Sequence, residues 1–345
     1  MPTDLAEERA AGSAPLVSTV LPLLAAGACG AVLPVQSRVN GVLSEQVGAL
    51  PAATLSFGSG LVVLTLLLGL APLRRRAAVI WSAVRSGGLR RWQVVGGVGG
   101  ALLVASQTYA VPQVGVTAFL VAVIGGQSVS ALLVDRVGLG PGPAQPLRVG
   151  RAAAALLAVV GVAVASSARP ADDGPGGGAG VGFALALTLV CAAGALTSVQ
   201  QALNGVVTTV SRAPVATAWV NFLTGTLTLV LIGLVSSAAG GLRPSAVAPG
   251  LPWWAWTGGV MGIVFIALAA YAVQHLPVLV FALVTITTQL LVGMLLDALD
   301  PVGRAALGPQ LLLGVLLALT ASVWAALARP SRRRGVSSPA AAPHR

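Results

Sequence analysis

Lysine is absent from this sequence, and charge of either sign is scarce: twenty arginines and nine acids in 345 residues, 8% charged in all. A soluble domain carries about a quarter charged residues. A chain this poor in charge, 56% hydrophobic and with a mean hydropathy of +0.91, cannot clothe a water-exposed surface, which excludes the soluble globular classes. Aromatic residues are few as well (4%), whereas glycine reaches 43, the balance expected where helices pack closely in lipid through small residues. The two cysteines, Cys29 and Cys191, fall inside apolar runs, so no disulfide, metal or redox chemistry is expected. Catalytic signatures are missing too. No HExxH or phosphate-binding loop occurs, His275 is the only histidine outside the tail, and Gly58-Ser59-Gly60 has no base partner. Asp297-x-x-Asp300 lacks a matching acidic cluster that would complete a divalent-metal site. The chain reads as no enzyme, with no cofactor.

What is present is ten apolar stretches: 16–35 (continuing to residue 40), 52–71, 93–111, 116–135, 152–168, 181–203, 215–235, 253–273, 278–296 and 311–328. Each is long enough to cross a bilayer as a helix, the form that satisfies its own backbone in lipid. The third and fourth, and the eighth and ninth, are joined so briefly that tight antiparallel hairpins are expected. The acidic segment before the first stretch has the wrong sign for a secretory signal. With the N-terminus in the cytoplasm, sixteen arginines fall inside and four (Arg38, Arg169, Arg243, Arg304) outside. That asymmetry predicts cytoplasmic termini and accounts for the net charge of +11 without nucleic acid as a partner. Around Ile80 and Trp81 the arginine-rich connection reads equally as a short interfacial helix or as a plain loop.

An internal repeat organises these stretches. Displaced by 162 residues, 92–135 falls on 254–297 without a gap, with 15 identities in 44 positions, where about 5 would arise by chance. Gly96, Gly97 and Gly100 meet Gly258, Gly259 and Gly262; Tyr109 meets Tyr271; Gln127 meets Gln289; Asp135 meets Asp297. Upstream, QSRVNG at 36–41 matches QQALNG at 200–205, and SFGSG at 56–60 matches NFLTG at 221–225. Five spans per copy is an odd number, so the copies enter the membrane in opposite senses. The expected architecture is an all-α polytopic membrane protein of ten transmembrane helices in two inverted five-helix repeats. Its parts are a cytoplasmic tail (1–15), the first repeat (16–168), a Gly/Pro-rich extracytoplasmic linker (169–180), the second repeat (181–328) and a basic, disordered cytoplasmic tail (329–345).

Given twice, the Gln-x3-Asn-Gly, Ser/Asn-Phe-x2-Gly, Trp-x3-Gly-Gly and Gln-x7-Asp patterns resemble the drug/metabolite transporter superfamily. More narrowly, they resemble its inner-membrane family found both as single units and as fused tandem repeats. The resemblance implies a 5+5 inverted-repeat transporter of small metabolites or drugs in the plasma (inner) membrane, and no particular substrate. The alternative is a non-transporting membrane scaffold or assembly protein.

Polar side chains are costly in lipid unless they face a cavity or a partner helix. Gln127 and Gln289 stand about 16 Å into their helices, near the midplane, and suit substrate binding or an interhelical amide bond. Gln36 with Asn40, and Gln200 with Asn204, are i, i+4 pairs that present two amides on one face. Each pair reads as a polar gate, or as a helix end in which Asn-Gly forms the cap. Trp219 and Asn221 are further candidates to face the cavity. Tyr109 and Tyr271 read as interface anchors or gates. Asp135 and Asp297, candidate coupling carboxylates, sit at helix ends, where a solvated or arginine-paired role is expected. The glycine pairs Gly96/Gly100 and Gly258/Gly262 read as packing faces. The partners implied are a small-molecule substrate and membrane lipids, with a homodimer left open.

Overall fold

The computed structural model describes residues 4–167, 178–240 and 251–328. The linker expected at 169–180 lies largely outside them, and the C-terminal tail from 329 entirely so. The described residues form helices and connections, with no strand among them. In chain order the helices are α1 (Asp4–Val47), α2 (Ala49–Leu67), α3 (Ala71–Arg85), α4 (Gly97–Val137), α5 (Val149–Ser166), α6 (Gly178–Ser211), α7 (Pro214–Ala238), α8 (Gly258–His275), α9 (Val278–Leu299), α10 (Pro301–Ala306) and α11 (Pro309–Leu327). Nine helical segments among the described residues are long and apolar enough to cross a membrane, where the sequence suggests ten stretches.

The difference lies in α4, which holds the third and fourth stretches as one helix of 41 residues. Drawn straight, it would reach about 60 Å, twice the hydrocarbon core. It is not straight. Gly115 breaks it with φ 80° and ψ 169°, a conformation open to glycine, three residues after Pro112 has removed a backbone donor. Contacts with α6 give the direction of the arms on either side of the break. A Cβ built on Gly96 would stand 2.9 Å from Asn204 Oδ1 and one on Gly100 would stand 2.6 Å from Gln200 Nε2, so the first arm runs antiparallel to α6. In the second arm Gly194 abuts Val123 and the Ser198 hydroxyl donates to the Gln127 carbonyl (2.9 Å), a parallel course. The two arms therefore fold back on each other at Gly115. Their far ends meet around one recess, lined by Arg90, Trp92 and Gln93 just before the first arm, by 137–141 where the second ends, and by Val206 and Thr209 of α6.

Helix α3 settles the arginine-rich connection in favour of a helix. Its Ala77 and Ile80 are buried with Val207, Ala216 and Val220 of α6 and α7, while Arg74, Arg75, Arg76 and Arg85 stay largely exposed. This division into an apolar and a basic face suits a helix lying at a membrane surface.

Contacts between the halves come in matched pairs. Gly60 lies against Phe222, with a would-be Cβ 2.2 Å from its ring, and Gly225 lies against Phe57 at 2.3 Å. The two rings stack with centroids 5.0 Å apart. Gly97 touches the Asn221 carbonyl and Gly259 touches that of Ser56; Gly30 meets the Thr285 carbonyl and Gly194 meets that of Val123. Along α2 and α7 the order of contacts is reversed, 57 near 225 and 60 near 222, so the helices cross antiparallel. The same holds for α5 and α11, where Gly161 meets Leu317 and Gly314 meets Ala165.

Candidate functional site

Two amide clusters form where each half lays its i, i+4 pair on the glycine face of the other. In the first, Asn40 (fully buried) fills the space left by Gly258, where a Cβ would come within 2.1 Å of its Oδ1. Gln36 Nε2 donates to the Gly258 carbonyl at 2.7 Å. Asn40 Nδ2 reaches Gln107 Oε1 at 3.4 Å, and Gln107, also fully buried, donates to Ser37 Oγ. Asn40 Oδ1 and Ser56 Oγ are buried with no hydrogen-bond partner among the described residues. In the second cluster, Gln200 Nε2 and Asn204 Nδ2 both donate to Asn221 Oδ1, at 3.0 and 3.2 Å, with Gly96 and Gly100 beneath them. Gly96, beside the second cluster, and Gln107, in the first, lie eleven residues apart on one arm of α4, about 16 Å along the axis. The clusters thus stand at different depths, one toward each end of the bundle.

Neither Asn-Gly pair ends a helix. Helix α1 continues through Gly41 to Val47 and α6 through Gly205 to Ser211, which overturns the capping alternative. The glycines serve close approach instead, Gly41 to Val111 and Gly205 to Pro141. Likewise, the glycine faces are more than helix packing, because they make room for the amides of the opposite half.

The repeat-related aspartates do different things. Asp135 pairs with Arg151 and is open to solvent on one side. Asp297 is buried (2% exposed) and departs from the expected solvated or arginine-paired role. Its two carboxylate oxygens accept from the backbone N–H groups of Val116 and Thr117, each at 2.7 Å, just after the break at Gly115. Those groups are the unsatisfied donors at the start of a helical arm, where a carboxylate is favoured. Beside it, Asp300 pairs with Arg38 and also accepts from Gly303 N at 3.1 Å, tying α1 to the segment after α9.

The remaining candidates are scattered. Gln289 is buried and Gln127 half-buried, and among the described residues neither side chain hydrogen-bonds to another site residue. Trp219 turns away from the amides, its Nε1 donating to Thr65 Oγ1 at 3.0 Å. Tyr109 is exposed (39%), and Tyr271 stacks on His275 with centroids 4.4 Å apart. Gln107 and Ser37 are not among the residues that the sequence singles out, and the pairing of Arg38 with Asp300 is not expected from it. Gln107 carries the right signal, an amide inside an apolar stretch, but its repeat counterpart is Ala269, and a search weighted to duplicated residues passes over it.

The recess at the meeting of the α4 arms has a volume of about 500 Å³ and lies next to the second cluster. Arg90, Gln93 and Thr209 supply its polar side chains, Trp92 an aromatic face. Arginines crowd this end: Arg74, Arg75, Arg76, Arg85, Arg90, Arg91, Arg136, Arg148, Arg151 and Arg212, against Arg38 and Arg304 at the other.

Comparison with known families gives a match in each half. The family described as "Putative inner membrane exporter, YdcZ" matches residues 21–164 and again 185–324. No curated protein and no solved structure matches.

Proposed function

The chain belongs to the YdcZ inner membrane exporter family, as two tandem copies of its unit, and from that premise we propose that it is a secondary transporter moving a small organic solute by alternating access. We take α4 as two crossings, which makes ten, and the halves as inverted repeats. The observation that carries this is the antiparallel crossing of α2 with α7 and of α5 with α11. Each is a pair of repeat-equivalent helices touching one another, and a twofold axis that turns a helix onto an antiparallel mate must lie perpendicular to it, in the membrane plane. Such a dyad is the basis of alternating access, since exchanging the conformations of the halves moves the opening from one side to the other at similar energy.

The amide clusters are then gates on the two sides. An amide both donates and accepts, so a solute's polar groups can replace the Gln–Asn bonds as a gate opens. The arginine-rich end is cytoplasmic by the positive-inside asymmetry, and both termini lie there. At the opposite end Gln36 and Asp297 reach across the interface between the halves, whereas Gln200 and Asn204 bond within their own half. The second cluster closes on Gly96 and Gly100 by packing alone, the first by packing and a hydrogen bond across the halves, so we read the arginine-side gate as the readier of the two to open.

Two experiments test the reading. Reconstituted in proteoliposomes, the protein should carry members of a metabolite panel, and the double variant Gln200→Leu/Asn204→Leu should lower flux by at least about tenfold, the loss of two part-buried amide hydrogen bonds. No flux with any solute would favour a scaffold. A topology reporter fused after Gly174 should read extracytoplasmic and one at the C-terminus cytoplasmic; a cytoplasmic Gly174 fusion would rule out five crossings per half.

A further inference from the structure

We propose that the solute is a small organic anion, drawn in at Arg90 and handed at the outer gate to Arg38, which it takes from Asp300. This assignment rests on the transporter reading above and names the substrate class for it.

The carboxylates weigh against a cation. A cationic solute needs an unengaged acid along its path, because an intramembrane charge must be paired. Among the described residues of the bundle none is free for that work. Asp135 is held by Arg151, Asp300 by Arg38, and both oxygens of Asp297 are spent on backbone N–H groups. Glu45 stands exposed at the end of α1. The amides can pass any solute with polar groups, so they do not reverse this bias.

Cations, by contrast, stand at both ends of the path. Arg90 lines the recess and makes no ion pair with a carboxylate among the described residues. It is surrounded by further exposed arginines, an arrangement that concentrates anions at a cleft. A volume of about 500 Å³ suits a small ligand. At the other end, the Arg38 side chain is 31% exposed and its partner Asp300 16%, so the pair is not sealed off. Guanidinium groups bind carboxylates and phosphates in a planar, two-bond fashion, which lets a solute carboxylate replace that of Asp300.

The two halves differ at this pair. The position equivalent to Arg38 is Ala202, and that equivalent to Asp300 is Gly138, which lines the recess. The ionic latch therefore exists on one side alone. A gate closed by an ion pair opens most readily for a ligand that compensates the charge it exposes, and Arg38 with an anion is such a replacement.

The test uses the full chain in proteoliposomes, with radiolabelled succinate, p-aminohippurate and phenyl phosphate as anions, proline as zwitterion and tetraethylammonium as cation. Flux of one or more anions, with none of tetraethylammonium, is expected. For a carried anion, Arg38→Gln should lower kcat/KM by about tenfold or more, with Arg38→Lys partly restoring it. Asp300→Asn should lower KM, because Arg38 is no longer shared, and a purely structural pair would not give that result. Arg90→Gln should raise KM from the recess side. Flux of tetraethylammonium or proline without any anion would overturn this inference and leave the transporter reading standing. No flux in any arm would overturn both. An Arg38→Gln variant that carries the anion as well as wild type would remove Arg38 from the path.

Discussion

Replacing Gly97 or Gly259 with alanine is expected to strip the protein of much of its stability. A Cβ at Gly97 would stand 2.0 Å from the Asn221 carbonyl oxygen, 2.2 Å from Thr224 Oγ1 and 2.7 Å from the Gly225 nitrogen. At Gly259 the distances are 2.1 Å to the Ser56 carbonyl oxygen and 2.5 Å to both Ser59 Oγ and the Gly60 nitrogen. Ordinary overpacking costs about 1–3 kcal/mol because a side chain can rotate or shift. Here the obstacles include backbone, so α4 and α7, or α8 and α2, must part by about an ångström along a contact where dispersion is most of the attraction in lipid. A loss of about 3 kcal/mol or more is expected for either variant, and similar for both because they are equivalent positions of the repeat. Gly58→Ala and Gly233→Ala provide the contrast, since nothing lies within 4 Å of a Cβ at either position. They should match or slightly exceed wild type, alanine being the better helix former by about 1 kcal/mol. Thermal unfolding in detergent, read by size-exclusion recovery, decides it. Equal behaviour of all four variants would mean that the close approaches do not hold the bundle together.

The same interface shows how far the sequence can be read. The glycine triplets 96, 97, 100 and 258, 259, 262 stand out because they recur at one spacing, and so do the amides. That they meet, each triplet receiving the amides of the opposite half, depends on how helices distant in sequence pack, which no spacing within a half encodes. The turn between the third and fourth stretches is legible from Pro112 and Gly115, but its form is not. One residue out of helical conformation reverses the chain, and the N–H groups freed at the start of the second arm are taken by Asp297, which no local pattern announces. The Asn-Gly segments are ambiguous for a related reason. Glycine in a helix signals either a cap or a close neighbour, and choosing requires knowing the neighbour, here Val111 for Gly41 and Pro141 for Gly205. Residues without a repeat mate are the hardest to find. Gln107, Arg38 and Asp300 make contacts that the other half lacks, and duplication, the strongest signal in this sequence, is blind to what differs between its copies.

The two aspartates make that blindness measurable, because the repeat presents them as equals and the structure does not. Asp297→Ala would leave the N–H groups of Val116 and Thr117 buried and unpaired at the start of a helical arm. Each orphaned donor costs about 1–3 kcal/mol, so the variant should lose about 2–6 kcal/mol. Gly115 lies under the same carboxylate, a Cβ there meeting Asp297 Oδ1 at 3.1 Å, and Gly303 packs on the other side, so little room exists for the turn to recruit another acceptor. Asp297→Asn keeps one acceptor oxygen and gives up the charge that strengthens both bonds, for an intermediate loss of about 1–3 kcal/mol. Asp135→Ala breaks a pair whose acid side chain is 39% exposed. The Arg151 side chain, only 11% exposed, must then swing out to be solvated, so the cost should be about 1–2 kcal/mol. The expected order of stability is therefore wild type, Asp135→Ala, Asp297→Asn, Asp297→Ala. Hydrogen exchange at 116–117 adds a local readout, since protection there should fall in the Asp297 variants and hold in Asp135→Ala. Equal losses for the two alanine variants, with protection unchanged, would show that the carboxylate of Asp297 does not hold the hairpin turn closed.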